Sequence, residues 1–337
     1  MADQAQLQPV RGRRGRRNLL EVIVLAVTLA LIVVFSALIP GFATFGNLKV
    51  ILSNSASLVM LSCGMAVVII SRGLDLSIVA EMVAGATTFS ILIGAGVAAP
   101  VALLMTRAVM IMLGFLNGWL IAYVEIPAML ATLASAMLIT GLFRFGILRG
   151  EYLLLLPKTD PAVVFLSGNV FPGLTVPVAL MGATMLATWV LLNLSAAGHT
   201  VYAMGDNFQA ARLTGLPVRR VMIVVYVFAA LTALLAGLVT SAASGTVDFR
   251  TVTNGTLLFE VILVAVLGGI PLRGGRGGLR NIVIGIALIA VLRNGMTLLN
   301  FTAQTQDVLK GLVLVTAIVA DNYFNPRDIE TDTVGDL

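Results

Sequence analysis

Residues 48–98 read LKVILSNSASLVMLSCGMAVVIISRGLDLSIVAEMVAGATTFSILIGAGVA, two long apolar runs joined by the short polar segment Ser71–Ser77. Each run has about the 20 residues that a helix needs to cross the hydrocarbon core of a bilayer. The rest of the chain has the same character, because hydrophobic residues make up 59% of its 337 residues and charged residues only 11%, against roughly 25% in soluble domains. The mean hydropathy of +1.03 agrees. The sequence therefore excludes a soluble globule and predicts an all-α, polytopic transmembrane helical bundle.

The apolar runs between charged and helix-breaking residues predict about ten transmembrane spans. These spans are 19–39, 48–71, 74–98, 99–123, 126–148, 171–194, 218–242, 256–272, 281–300 and 307–323. The second, third and fourth nearly touch, so one of them is open to a second interpretation as a broken or re-entrant segment. The predicted organisation is a basic tail (1–18), a transmembrane domain (19–323) and a C-terminal tail (324–337).

The distribution of basic residues predicts the orientation, since Lys and Arg are retained on the cytoplasmic side. With the N-terminus inside, most of the 21 lysines and arginines fall on the cytoplasmic side. Both termini are then cytoplasmic, the long connection 149–170 lies outside and the long connection 195–217 lies inside. A cleaved signal peptide is the alternative for the N-terminus, but the uncharged run Val22–Ile39 is longer than a typical signal-peptide core.

The residue inventory excludes most catalytic and metal chemistry. The chain has one cysteine, Cys63, and one histidine, His199, so an intrachain disulfide and a Cys/His metal cluster are excluded. A Ser/His/Asp set cannot be assembled either, because one histidine is available and most acids lie near the termini or in loops. We expect no catalytic site and no metal site. The net charge of +5 comes mainly from basic residues in the predicted cytoplasmic segments, as the positive-inside rule requires. Nucleic acid is therefore not expected as a partner.

A Gly-rich stretch near the C-terminus invites comparison with phosphate-binding loops. It lacks the Lys-Ser or Lys-Thr of the nucleotide-binding pattern and links two apolar spans, so we expect no nucleotide site in this chain. The glycines instead predict tight turns and close approach of helices. They are Gly268, Gly269, Gly274, Gly275, Gly277 and Gly278.

Six ionisable residues fall inside predicted spans, where a charge facing lipid costs about 2.5–3.5 kcal/mol. Glu81 and Arg107 lie at comparable distances from the outer end of their predicted hairpin, which predicts an ion pair. Arg144, Arg293 and Lys310 lie nearer the outer ends of their spans, where long side chains also reach the headgroups. The sixth is Glu260. Two distant acids and a histidine in a loop do not support a proton relay.

Three motifs, in this order along the chain, resemble those of the ribose-type permeases of ABC importers. Residues 71–77, SRGLDLS, resemble the family's G-x-D-L-S signature, and residues 114–118, GFLNG, followed by Ile126-Pro127 and Thr132-Leu133, resemble its LNG and IP stretch. Residues 267–278, LGGIPLRGGRGG, resemble its Gly-rich turn. The segment 198–215, GHTVYAMGDNFQAARLTG, is similar to the family's cytoplasmic segment, and the resemblance covers about residues 48–321.

This resemblance implies the membrane subunit of an importer in the bacterial inner membrane. Two permease copies, identical or different, form the pathway, a cassette ATPase that holds ATP and Mg²⁺ drives transport, and a periplasmic binding protein delivers a monosaccharide. No cofactor is expected on this chain itself. The cytoplasmic segment is the expected coupling element, with a short helix in a groove of the ATPase. Its implied residues are Gly205, Asp206, Asn207, Ala210, Ala211, Arg212 and Gly215.

The cargo and the pathway are less well defined by the sequence. Polar candidates for the pathway are Asp75, Asn117, Thr132 and Glu260. Glu81 and Arg107 depart from the family pattern, which leaves a pentose or similar polyol, a nucleoside, an autoinducer sugar or another polar metabolite open as cargo. An ion-coupled secondary transporter is a further alternative, but we see neither clear repeats nor an acid-rich midplane. A multi-pass enzyme lacks a catalytic set.

Overall fold

The computed structural model describes residues 11–324, with the side chains of residues 21–316 and 319. Its helices are α1 (Arg11–Leu38), α2 (Phe45–Ile70), α3 (Ile78–Gly94), α4 (Ala99–Ala122), α5 (Ala128–Gly141), α6 (Pro161–Ser167), α7 (Val176–Leu194), α8 (Ala196–Asp206), α9 (Phe208–Leu213), α10 (Val218–Ser244), α11 (Arg250–Asn254), α12 (Thr256–Leu267), α13 (Leu279–Leu298) and α14 (Ala303–Phe324). A π-helix, Leu142–Ile147, extends α5. Short strands are β1 (Leu153–Leu155), β2 (Asn169–Phe171), β3 (Leu174–Thr175) and β4 (Thr246–Asp248).

Seven of the described helices are long and apolar enough to cross a membrane: α1, α2, α4, α5 with its π-helical extension, α7, α10 and α13. Helices α3 and α12 are apolar but shorter, and α14 occupies the last predicted segment. Every predicted segment thus contains a helix, and the all-α membrane class is confirmed. The number of spans, about ten, stays a prediction.

Two of these helices are too short to span the bilayer alone. With a rise of about 1.5 Å per residue, the 17 residues of α3 and the 12 residues of α12 fall short of a hydrocarbon core of about 30 Å. Such interruptions are tolerated where the freed backbone is buried in protein. In the segment between α2 and α3, Ser71, Asp75 and Ser77 are buried, so this connection lies inside the protein. The interpretation of one of these spans as a broken or re-entrant segment stays a prediction.

Helix α10 lies at the centre of the packing, against α2, α3 and α4. Glycines permit the contact with α4, because a methyl group on Gly114 would lie 2.7 Å from the Val227 Cα, and one on Gly118 would lie 2.6 Å from the Ile223 Cα. Small residues let helices approach closely in membranes, where van der Waals packing drives association. Helix α2 is buried along its second half, including Cys63 at 0% exposure.

The two long connections contain helices and strands. The predicted outer connection contains β1, which pairs with β4 in antiparallel register, together with α6 and the β2–β3 pair. The predicted cytoplasmic connection, 195–217, consists mainly of α8 and α9. Each large connection therefore presents a structured surface on its side of the bundle.

The first helix begins earlier than the predicted span. Residues 11–18, assigned to the basic tail, continue α1, while residues 1–10 and the predicted tail beyond residue 324 lie outside the described part of the chain. Glu21 binds Arg280 at 2.9 Å, and Asn47 and Asn294 exchange hydrogen bonds of 3.0 Å. The first contact joins Glu21, about three turns into α1, to the beginning of α13, and the second joins the beginning of α2 to the end of α13.

We expect Gly114→Ala to lower the thermal unfolding midpoint of the purified protein in detergent. The added methyl group meets the α10 backbone, which cannot move aside as a flexible side chain would, and overpacking costs about 1–3 kcal/mol. The matched control is Gly182→Ala on α7, where nothing lies within 4 Å of the new methyl group. Equal midpoints for the two variants would contradict the role of Gly114.

Candidate functional site

The segment Ser71–Ser77 is fixed by side chains from inside itself and from α5. Asp75 Oδ1 accepts hydrogen bonds from the Ser77 N–H (2.8 Å) and the Ser77 hydroxyl (2.6 Å), a local turn that leads into α3. Thr132 of α5 accepts the Leu76 N–H at 3.1 Å, and its hydroxyl lies 3.1 Å from the Leu74 carbonyl oxygen. The interrupted backbone is thus bonded within the protein, as the membrane interior requires.

A buried polar cluster connects this segment to α4. Asn117 donates to the Ser77 hydroxyl and to Glu81 Oε1, both at 2.9 Å, and Ser135 of α5 donates to Asn117 Oδ1. We call this set the polar cluster; its members are Asp75, Ser77, Glu81, Asn117, Thr132 and Ser135. Three of the four predicted pathway residues therefore lie together.

The polar cluster is closed to solvent in the single chain except at Ser135, which is partly exposed. Asp75, Glu81 and Thr132 are 0% exposed and Asn117 is 1% exposed. A cargo therefore cannot reach these side chains in the described conformation. Their role as pathway residues stays a prediction, and it requires helices to separate during transport.

The predicted ion pair between Glu81 and Arg107 is wrong. Glu81 bonds to Asn117 and Ser77, whereas Arg107 is exposed. Helices α3 and α4 are joined at their outer ends, and Glu81 lies in the first turn of α3, far from that joint. Arg107 lies only about two turns into α4 from the connection between the two helices. The two side chains are therefore at different distances from this connection.

Glu260 belongs to a separate ionic cluster rather than to the polar cluster. Its carboxylate accepts a bond from Lys310 Nζ at 2.5 Å and lies 4.0 Å from Arg293 Nη1. Lys310 also contacts Asp307 at 3.1 Å. Glu260 and Lys310 have side chains only 8% and 16% exposed, so Lys310 pairs inside the bundle, while Arg293 remains 46% exposed. These contacts join α12, α13 and α14.

Arg144 is held at the outer end of α5. Its guanidinium lies 3.6 Å from the centre of the Tyr152 ring and 4.9 Å from that of Phe145, and its Nε donates to the Gly150 carbonyl oxygen at 3.3 Å. Nearby on the same side, burial raises the pKa of Asp248, but hydrogen bonds and charge from Arg250 outweigh this effect and lower that pKa overall. The outer surface is therefore ordered by local cationic contacts.

The predicted coupling segment, residues 198–215, lies on two helices, α8 and α9, rather than on the single short helix expected. Ser195 caps α8 by accepting the Gly198 N–H at 3.0 Å, and Asn207 ends α8 and caps α9 through the Ala210 N–H at 2.9 Å. Ala211 is buried. The break places Asp206 at the end of α8, and Gly215, with φ of 81°, follows α9.

The exposed side of α9 carries charge and apolar surface together. Arg212 lies 3.6 Å from Glu125, and Arg219 lies 2.9 Å from the same carboxylate. Leu213 is 87% exposed, more than any other large apolar side chain in the described part. Arg212 therefore has an acidic neighbour within the chain, and the coupling segment leaves an apolar side chain uncovered.

The Gly-rich turn joins the coupling segment to the end of α2. The Gly275 N–H donates to the Ile70 carbonyl oxygen at 2.8 Å, and a methyl group on Gly275 would lie 2.9 Å from the Asp206 Cα. Gly274 and Gly275 have φ of 79° and 75°, a region that favours glycine. A methyl group on Gly205 would also overlap Ile70 and Gly275.

The rest of the turn is held in a similar way. The Tyr202 hydroxyl of α8 donates to the Gly277 carbonyl oxygen at 2.8 Å, and burial raises the pKa of Tyr202. Gly268 packs against Asn281, and Gly269 has φ of 88°. Tight turning and close approach thus account for these glycines.

The site residues predicted from the sequence omit two members of the polar cluster, Ser77 and Ser135, and the neighbouring Tyr226 of α10. Ser77 carries a signal, because it closes the D-L-S motif two residues after Asp75, the spacing of a local side-chain turn. Ser135 lies one turn after Thr132 on α5. Tyr226 is a polar aromatic residue deep in a long apolar run, and the sequence does not reveal that it is 0% exposed.

Comparison with known proteins defines the class. Residues 47–318 match the family described as a permease component of the branched-chain amino acid transport system, and the chain belongs to this family. It is an inner-membrane, multi-pass permease of the ABC-type sugar permease superfamily. Permease components of transport systems are not catalytic.

The similarity to three relatives extends over most of this chain and most of each relative. The ribose import permease protein RbsC of Escherichia coli (strain K12) is 31% identical over 94% of this chain and 98% of its own. The L-arabinose transport system permease protein AraH of the same strain is 30% identical over 89% of each chain. The autoinducer 2 import system permease protein LsrC of Salmonella typhi is 31% identical over 90% and 86%. No solved structure matches the chain.

We expect Glu260→Gln to lower the thermal unfolding midpoint, because it leaves Lys310 without its main partner. Breaking a fully buried ion pair costs about 3–5 kcal/mol, and the cost here is smaller because Lys310 keeps contact with Asp307 and some water. Glu151→Gln, at an exposed outer position, is the control. Adding Lys310→Met to Glu260→Gln should recover part of the loss, and an unchanged midpoint in the single variant would refute the ionic cluster.

Proposed function

We propose that this chain is the translocation subunit of an importer for a monosaccharide, a pentose or a similar sugar or polyol. The observation that carries the proposal is the near full-length similarity to permeases named for ribose and L-arabinose import. The relative named for autoinducer 2 supports an autoinducer sugar as the second candidate cargo. A nucleoside or another polar metabolite is a weaker alternative, and an ion-coupled secondary transporter is weaker still.

Transport would proceed by alternating access, driven by a separate cassette ATPase. ATP and Mg²⁺ would bind to that subunit, and this chain would do no covalent chemistry. ATP binding would move the two coupling segments of a permease pair together, and hydrolysis would reset the pathway. The second permease is either another copy of this chain or a related subunit.

The coupling segment supports this mechanism because it is connected to the polar cluster through backbone contacts. Asp206 lies against Gly275, and Gly275 donates to Ile70 at the end of α2. Ile70 directly precedes the segment Ser71–Ser77, which contains Asp75. A displacement of α9 would therefore act on the interrupted backbone between α2 and α3 with few intervening side chains.

The outer side offers a surface for the periplasmic binding protein. The β1–β4 pair, α6 and the β2–β3 pair lie together in the predicted outer connections. Leu155, Phe165 and Phe171 are more than half exposed there. Exposed apolar side chains of this kind are typical of a protein contact.

We expect Leu213→Asp to abolish copurification of the cassette ATPase and sugar uptake, without loss of membrane insertion. The side chain is 87% exposed and contributes little to the fold, so its loss should act on the partner contact. Leu155→Asp, at a leucine 75% exposed on the predicted outer side, is the control for copurification alone, because Leu155 belongs to the proposed binding-protein surface and its change should lower uptake by another route. Copurification of the ATPase with Leu213→Asp at the control level would contradict docking on α9.

The direct test is ATP hydrolysis by the permease reconstituted with its cassette ATPase. The binding protein should be added empty and loaded from a panel of pentoses, hexoses, polyols and autoinducer 2. Stimulation by a loaded pentose would support the first proposal, and stimulation by autoinducer 2 alone would select the second. Uptake that follows an ion gradient in the absence of ATPase would reject both.

A further inference from the structure

The two acids of the polar cluster have no basic partner to balance their charge. Asp75 and Glu81 are both 0% exposed, and the hydrogen bonds given to them in the described part come from Ser77 and Asn117, both neutral donors. Two uncompensated charges in a dry interior carry a large free-energy cost. The predicted partner, Arg107, is exposed elsewhere on α4.

The donors within the cluster are already used. Both Asn117 amide hydrogens are engaged, one by Ser77 and one by Glu81, and the Ser77 hydroxyl donates to Asp75. Neither Asp75 Oδ2 nor Glu81 Oε2 has a hydrogen-bond partner. A further positive group is needed on the side of these two oxygens.

A third unpartnered oxygen lies on α10, against the segment that contains Asp75. The Tyr226 hydroxyl is buried without a hydrogen-bond partner. It lies against the interrupted segment, since a methyl group on Gly73 would be 2.7 Å from its oxygen. Three oxygens from α3, the segment before it and α10 therefore lack partners together.

The surroundings limit the size and charge of the missing group. A methyl group on Gly73 would also lie 3.0 Å from the Val68 Cγ1, so this part of the segment is packed tightly between α2 and α10. Among the described residues no group of three or more His, Cys, Asp or Glu side chains exists that could hold a metal ion. Two carboxylates and one hydroxyl suit a single small positive charge better than a divalent ion with six or more oxygen ligands.

We propose that the polar cluster binds one monovalent cation, a proton or an alkali metal ion, between Asp75 and Glu81. The bound charge balances the two carboxylates in part and holds the segment Ser71–Ser77 against Tyr226 of α10. The titratable groups around the proposed cation are the two acids themselves and Tyr226 on α10. Helices α4 and α5 contribute the neutral Asn117, Thr132 and Ser135. This inference does not depend on the cargo or on the ATPase.

The test is thermal unfolding of the purified full-length permease in detergent. Choline chloride is replaced stepwise by sodium or potassium chloride at constant ionic strength, and a second series lowers the pH without either ion. A ligand that binds only the folded state raises the unfolding midpoint. We expect an increase of about 2–4 °C or more, with the metal salt if an alkali ion binds and with falling pH if a proton binds.

Glu81→Gln keeps the size of the side chain and removes its charge. It should therefore remove the dependence of the unfolding midpoint on the metal salt or on pH. Glu151→Gln, an exposed acid outside the cluster, should retain it. If Glu81→Gln does not fold, Tyr226→Phe removes one oxygen without adding volume and should weaken the dependence. The proposal is overturned if the midpoint of the unmodified protein responds to neither series, or if the folded variant responds as the unmodified protein does.

Discussion

The constraint on which this fold depends is that backbone groups inside a membrane must find hydrogen-bond partners within the protein. Helices satisfy it alone, but the segment Ser71–Ser77 interrupts the helical ladder between α2 and α3. Asp75, Ser77 and Thr132 supply the replacement bonds. The polar residues that mark this motif are therefore needed for the fold, whatever they do in transport. The same residues gather Glu81 and Asn117 into one buried cluster.

A second group of contacts joins several elements through their backbones at the predicted cytoplasmic end of the bundle. Gly205, Gly274 and Gly275 bring α8, the Gly-rich turn and the end of α2 into backbone contact. Contacts of this kind have no rotatable side chain to absorb a displacement. Motion of the coupling segment is therefore expected to reach α2 directly, whereas Glu260, Arg293 and Lys310 hold α12, α13 and α14 together near the opposite side.

Much of the fold follows from the sequence because apolar length alone sets the positions of membrane helices. The predicted spans each contain a helix, and the motif at 71–77 lies where the chain breaks. The predicted ion pair between Glu81 and Arg107 was wrong because the depth of a side chain in the bundle depends on where its helix begins. Helix α3 begins only at Ile78. The grouping of Asp75, Asn117 and Thr132 was partly predictable from the family motifs. The burial of Tyr226 and the ionic partners of Glu260 depend on helix rotation, which apolar runs do not specify.

The position of Cys63 has a practical consequence for spectroscopy. It is the only thiol in the chain, and it is fully enclosed in the second half of α2. A water-soluble maleimide probe should find no background site in the folded protein. Single cysteines introduced on α9 and on the outer strands can thus carry dyes or spin labels while the native residue stays in place, and distances across the bilayer become measurable in an otherwise unaltered chain.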